Sequence, residues 1–221
     1  MNSIRPFITT LICFALLFTG TVFAEETAAM PNQALLDISL AKEQAPDVYR
    51  VNMETTAGDF IIEVRREWAP RGADRFYNLV KIGYFNDVAF YRVLTGFMAQ
   101  AGMHGDPAVS RVWLNARLRD DPVKESNTKG MVTFATGGPD TRTAQFFINY
   151  GDNSYLDASG FSPFGKLVEG FESVKKLYSG YGEGEPNGKG PAQAKLYRRG
   201  SDYLKGEFPK MDYITGATVV E

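Results

Sequence analysis

Within FYRVLTGFMAQAG, residues 90–102, one arginine (Arg92) and one glutamine (Gln100) stand among mostly apolar neighbours, with no serine, cysteine, histidine or acid between them. A guanidinium is permanently charged and does not give up its proton, so it cannot act as a nucleophile or general acid. What it can do is donate hydrogen bonds to a polar atom of a substrate whose apolar part rests on Phe97 and Met98. The plainer reading is a core hairpin with a charge at its rim. The stretch alone does not separate the two.

The rest of the composition narrows the chemistry by exclusion. His104 is the single histidine and Cys13 the single cysteine, so a zinc site of the usual His/Cys type cannot be assembled. A Ser-His-Asp triad would have to use His104, in a chain without a G-x-S-x-G elbow; a surface-loop histidine is the expected reading. YGEGEPNGKGP (181–191) is glycine-rich but has neither the spacing nor the preceding strand of a phosphate loop. With a formal net charge of −2 and no lysine run or basic stripe, nucleic acid is not an expected partner. No metal or cofactor is expected.

Residues of this kind must be held by regular elements, and the periodicity supplies them. Val51, Met53 and Thr55, then Phe60, Ile62 and Val64, alternate with polar neighbours on either side of a Gly-containing turn, which predicts a hairpin over 49–65. Ala69, Ala73, Phe76 and Val80 recur at helical spacing in 68–83, with Pro70 suited to the first turn and Gly83 to the stop. Residues 103–129 read as loop with a short helix around Val109 to Leu114. Strands return at 131–136, 144–150 and 161–168. A second helix is expected at 171–178, a weakly helical stretch at 194–208, and a closing strand at 212–220. Many short strands with two well-patterned helices predict an all-β barrel whose ends the helices plug. Phe60, Ile62, Phe134, Phe146 and Ile148 would fill such a barrel, which speaks against a ligand inside it.

Register decides whether the opening stretch is a site. If Thr95, Gly96 and Phe97 form the tip, Leu94 pairs with Met98 and Arg92 lies opposite Gln100, on one face at about 5 Å between Cβ atoms. A two-residue tip would pair Arg92 with Ala99 and turn Gln100 away. In AQFFI (144–148) an extended strand places Gln145 and Phe147 on one face, Phe146 and Ile148 on the other. Phe147 can equally be simple core filling.

In order along the chain, FYRVLTGFMAQAG, MVTFATGGPDTRTAQFFI, SYLD and PFGKLVEGFESV resemble the cyclophilin family of peptidyl-prolyl cis-trans isomerases. The likeness runs from about Val51 to Leu177 and takes in the strand Ile214 to Val219. It implies a closed eight-stranded antiparallel β-barrel capped by two α-helices, with an active site on its outer surface. By resemblance Arg92 is the catalytic arginine and Gln100 the glutamine that orients it. Phe97, Met98, Phe147 and Leu156 match the floor and walls of a proline pocket, and Ala135, Thr136 and Gln145 match positions that grip the peptide ahead of the proline. Tyr155, where many members have tryptophan, and Phe161, at a histidine position, are counted with them as substrate-binding residues; Thr136 stands at a common asparagine and Ala101 at a common glycine. These departures imply weak or no cyclosporin binding. They also sustain an alternative, a proline-peptide binding module or holdase with little turnover. The implied partners are proline-containing unfolded or partly folded polypeptides.

The N-terminus has the look of a targeting segment. Arg5 precedes an apolar run at 7–18, too short to span a bilayer comfortably, and VFA at 22–24 resembles a cleavage signal. The expectation is a signal peptide over 1–24, a leader segment over 25–47 and the isomerase domain over 48–221. A retained anchor is the alternative, and Ile12 before Cys13 argues against a lipoprotein. Cleavage removes Arg5 and Cys13, leaving about 197 residues without cysteine and a net charge near −3. That length suffices for one core. The resulting reading is an exported, periplasmic protein with no stable membrane insertion after cleavage.

Overall fold

The computed structural model describes residues 32–220 together with Met1; the expected signal peptide, and the leader segment before residue 32, lie outside the described residues. Two short 3-10 turns, Gln33–Leu35 and Ile38–Leu40, open the described chain. The predicted hairpin forms from Val48–Thr55 (β1) and Phe60–Arg65 (β2), with Val51 opposite Ile62 and Met53 opposite Phe60 on the core face. Pro70–Lys81 (α1) follows, its buried stripe running through Ala73, Phe76 and Val80. Gly83, at φ +74°, ends it in a left-handed conformation that costs glycine little.

Then come Val88–Ala89 (β3), Arg92–Leu94 (β4), Met98–Ala101 (β5) and the helix Pro107–Leu114 (α2). Met131–Phe134 (β6), Phe146–Asn149 (β7) and Pro163–Glu169 (β8) carry the middle of the sheet. Phe171–Lys176 (α3), Gln193–Glu207 (α4) and Tyr213–Val220 (β9) complete the chain.

The expectation of a closed eight-stranded barrel is corrected, and the two capping helices are joined by the short helix and the weakly helical stretch that the sequence also offered. The strands form one curled antiparallel sheet of nine, in the order β3-β9-β1-β2-β8-β6-β7-β5-β4. The extra strand arises because the run from Val88 to Leu94 is interrupted at Phe90 and Tyr91. Its first part pairs with β9 through Val88–Ile214 and its second with β5 through Val93–Ala99. One run thus serves both edges, which are joined through the chain rather than by a ladder. The helices number four among the described residues, because α2 and α4 belong to the two inserted stretches and pack on each other.

The concave side of the sheet is filled as expected by Phe60, Ile62, Phe134, Phe146 and Ile148, all buried. Phe76 of α1 closes over them, with ring centroids 4.9 Å from Phe164 and 5.6 Å from Phe146. Each such ring buries enough apolar surface to contribute about 1.5–3 kcal/mol. A second cluster joins Leu196, Tyr203 and Leu204 of α4 to Tyr91 and Met103 beside the arginine hairpin. α4 is broken at Gly200 (φ 59°, ψ −147°), where a Cβ would run into the carbonyl oxygen of Gly105.

The N-terminus of α1 carries no side-chain cap from Ala69. Its orphan amides are met instead from the 103–129 insertion: Asp121 accepts from Arg71 N–H at 3.1 Å and Gly72 N–H at 3.0 Å. The same carboxylate accepts from Arg142 Nη1 at 3.1 Å. Both Asp121 and Arg142 are buried.

Candidate active site

The tip between β4 and β5 has three residues. Arg92 pairs with Gln100 and Leu94 with Met98, and Gly96 takes φ +79° at the turn. The loop after β7 fixes this tip from outside, as Phe97 O accepts from Tyr150 N–H at 2.8 Å and from Asn153 Nδ2 at 2.9 Å. On β7, Phe146 and Ile148 point into the core, while Phe147 faces the other way and lies opposite Gln100 on the neighbouring strand.

Arg92 sets the direction of a hydrogen-bond chain. Since it can only donate, its Nη1–H at 3.1 Å orients the Gln100 amide oxygen toward itself. The Gln100 amide nitrogen then donates to Gln145 Oε1 at 3.0 Å. The same oxygen accepts from the Tyr91 hydroxyl at 2.5 Å, and Gln145 Nε2 donates to the Tyr197 hydroxyl at 2.7 Å. Strand β5, the run before β4 and helix α4 are tied through one amide to the residue that enters β7. Burial pushes the Tyr91 and Tyr197 hydroxyls above the usual tyrosine range, so both remain protonated at neutral pH.

The opposite edge of the guanidinium is held by a residue that the sequence did not single out. Arg92 Nε donates to Glu183 Oε1 at 2.7 Å and Nη2 to Glu183 Oε2 at 2.6 Å. This parallel pair of charge-assisted bonds is the strong geometry for arginine and carboxylate. It holds the Glu183 carboxyl below the usual carboxylate range, against an opposing effect of burial.

Beside the guanidinium lies a hollow of about 240 Å³. Arg92 and Gln100 line it together with the buried Met98 and Phe147. Phe97, Leu156 and Phe161 complete the apolar wall. Leu156 is carried on the 3-10 turn Ser154–Ser159, and the Phe161 ring stands edge-on to Phe147 at 5.8 Å. Arg92 Cζ lies 5.9 Å from the Phe97 ring centroid.

Ala135 and Thr136 form the rim shared with a second hollow of about 390 Å³, which Gln145 also lines. The Thr136 hydroxyl is turned to its own loop and donates to Gly138 O at 2.5 Å. Tyr155, expected among the substrate-binding residues, instead lines neither hollow: it is 64% exposed and stacks on Phe97 at 6.5 Å.

The structure therefore brings Arg92, Gln100, Phe97, Met98, Ala135, Thr136, Phe147, Leu156 and Phe161 around one hollow, with Gln145 adjoining it. Sequence reasoning missed Glu183, Tyr197 and Gln193, the last lining both hollows, all from the 181–208 insertion. Tyr197 carried a faint signal as the neighbour of the apolar Leu196 in a weakly helical stretch; Glu183 carried none.

Chemically the site offers fixed donors above an apolar shelf, with no side chain poised to exchange a proton near neutral pH. It suits a neutral substrate that is part ring and part amide.

Comparison with known proteins agrees. The family model for cyclophilin type peptidyl-prolyl cis-trans isomerase/CLD matches residues 50–195. Peptidyl-prolyl cis-trans isomerase-like 3 of Mus musculus is 36% identical over 135 residues, covering 58% of this chain and 80% of the mouse protein. A peptidyl-prolyl cis-trans isomerase of Acinetobacter baylyi is 34% identical over 138 residues, covering 58% of this chain and 70% of its own. In fold, a cyclophilin type peptidyl-prolyl cis-trans isomerase of Cryptosporidium parvum gives a TM-score of 0.59 at 22% identity, covering 79% of this chain and 98% of that one. A structure of the Cryptosporidium protein in the presence of the dipeptide Ala-Pro gives 0.57, covering 78% and 99%.

Proposed function

Because this chain belongs to the cyclophilin-type peptidyl-prolyl cis-trans isomerase family, we propose that it accelerates X-Pro rotation with Arg92 as the group that stabilises the twisted amide. An X-Pro bond prefers trans by only about 0.5–1 kcal/mol, yet unaided it isomerises in tens to hundreds of seconds. The barrier, about 18–20 kcal/mol, reflects conjugation across the C–N bond. Loss of that conjugation breaks no bond, which is why a site without nucleophile or base suffices.

When the amide twists, the prolyl nitrogen regains a lone pair and becomes a better hydrogen-bond acceptor. A guanidinium N–H aimed at it is stronger in the transition state than in the planar ground state, and only such differential interactions raise kcat. One well-aimed donor is typically worth about 3–4 kcal/mol, two to three decades in rate at about 1.4 kcal/mol each. The shelf of Met98 and Phe147 holds the pyrrolidine ring while the preceding carbonyl swings. Ala135, Thr136 and Gln145 steady the peptide ahead of it.

The observation that carries this reading is the hollow itself, in which Arg92 and Phe147 both take part while Gln100 keeps the guanidinium in place. The Ala-Pro dipeptide present with the Cryptosporidium relative supports a proline-containing peptide as the occupant here. The apolar run and VFA sequence within 1–24 support clients among exported polypeptides in the periplasm, where slow X-Pro steps delay folding.

A protease-coupled isomerisation assay on residues 25–221 tests the proposal. Wild type should exceed the uncatalysed rate, and Arg92→Ala should lose about two to three decades of kcat/KM with little loss of stability. Equal turnover in the two proteins, or a wild type as slow as buffer that still binds prolyl peptides, would refute it. Recovery from the periplasm of a chain beginning at Glu25 would test the export reading.

A further inference from the structure

Arg92 has five N–H donors, and three are engaged: Nε and Nη2 by Glu183, one on Nη1 by Gln100. Two remain for a substrate amide. Gln100 alone leaves a long side chain free to swing about its terminal torsions; a second, two-point contact on the opposite edge removes that freedom. Glu183 is itself held. Its backbone oxygen accepts from Gly190 N–H at 2.7 Å, and Gly184 N–H donates to its Oε1 at 2.9 Å. The loop leads directly into α4, whose Leu196, Tyr203 and Leu204 are buried against Tyr91, the residue beside the arginine.

The carboxylate is not a plug. Glu183 is not among the residues lining either hollow, and the space beside Arg92 stays open. A group that grips the arginine from outside the hollow without filling it is placed to aim it. A glutamate also suits this task better than a second amide, because only a carboxylate accepts two parallel bonds from one guanidinium edge.

We propose that Glu183 is a positioning residue for Arg92, and that the 181–208 insertion serves to deliver it. The inference rests on the proposed role of Arg92 in X-Pro rotation. It assigns that insertion a part in the rate rather than in client docking.

The test is a mutant cycle on the purified protein with a chromogenic prolyl peptide, measuring kcat and KM separately. Glu183→Gln keeps the shape but replaces one acceptor oxygen by a donor facing the guanidinium. Loss of aim by a fraction of an ångström to 1 Å should lower kcat about tenfold to a hundredfold, with KM within about twofold because the apolar shelf is untouched. Glu183→Asp, which keeps the charge on a shorter stem, should recover part of the loss.

The decisive comparison is Arg92→Ala against Arg92→Ala/Glu183→Gln. A residue acting through Arg92 costs nothing further once Arg92 is gone, whereas a merely structural residue would still lower what activity remains. Wild-type kcat in Glu183→Gln, a rise in kcat that would mark the loop as a brake, or additive losses in the double variant would each overturn the inference. Failure of Arg92→Ala to slow the enzyme would instead count against the arginine mechanism, so the two outcomes are distinguishable. Melting curves of all variants check that folding is retained; if Glu183→Gln does not fold, Glu183→Ala takes its place in the cycle with the same expectations.

Discussion

Replacing Asp121 by asparagine tests how the inserted stretch 103–129 holds the helix that closes the core. Asp121 spends both oxygens on α1 and Arg142: Oδ1 on Arg71 N–H, Oδ2 on Gly72 N–H and on Arg142 Nη1. The asparagine amide is the same size but has one acceptor and two donors. One of its donors must face a backbone N–H or the guanidinium. Arg142 is only 1% exposed, and its remaining contacts are Asp120 Oδ1 at 3.2 Å and the Arg119 carbonyl.

Breaking a buried pair typically costs about 3–5 kcal/mol. Because Asp120 stays in place, the lower end applies, about 3 kcal/mol with the lost helix-terminus interaction included. At about 2–4 °C per kcal/mol for a domain of this size, Tm should fall by about 6–12 °C. Differential scanning calorimetry and urea unfolding should agree on that loss, with an unchanged m-value. A drop under about 1 kcal/mol would mean that the Arg142 charge is satisfied some other way, and the account of α1 as capped from a distance would fail.

Other outcomes follow from the same structure. The Tyr91 and Tyr197 hydroxyls are pushed up by burial and Glu183 is held low by Arg92, so kcat/KM should be flat from pH 6 to pH 9 (about the range set by ordinary side-chain values). An inflection inside that range would reveal a titrating group that the site does not contain. His104, expected at a loop surface, is half-buried, and burial lowers its pKa from the ordinary value against the opposing pull of the Asp106 and Asp87 carboxylates. The unfolded chain then binds the proton more readily, so stability is full above about pH 6.5 and declines as pH falls toward the folded value. Urea midpoints at about pH 7.5 and 5.5 should show that decline in wild type and not in His104→Gln; identical declines would refute the assignment. Phe147→Ala should raise KM for prolyl peptides and cost about 3 kcal/mol of stability, whereas Tyr155→Ala, at an exposed ring outside the hollow, should change stability little, and equal effects by calorimetry would mean the floor is misplaced.

Much of this arrangement was legible where local pattern and site coincide. Alternation at Val51, Met53, Phe60 and Ile62 gave β1 and β2, and the spacing of Ala73, Phe76 and Val80 gave α1, because each repeats at the period of its own backbone. The three-residue tip at Thr95 to Phe97 was one of two options in the sequence. It is the one whose register sets Arg92 opposite Gln100, and the shared face of Gln145 and Phe147 then brings the amide and the ring to the same place. Closure was not legible, because it depends on whether the run through Phe90 and Tyr91 pairs continuously or divides between two edges, and alternation is the same either way. Buried charge was hidden for a related reason. Arg119, Asp120 and Asp121 read as solvated loop, and only the tertiary fold shows that two free helix amides and the buried Arg142 wait for Asp121. Glu183 is the extreme case. It meets Arg92 across 91 residues of chain from a glycine-rich loop with no periodic pattern, and an exposed-looking acid in such a loop resembles any other. The residues most open to sequence reading are those whose neighbours along the chain share their task; a carboxylate brought in by an insertion to hold a distant cation has no such neighbours, and its role follows from the two parallel bonds it makes.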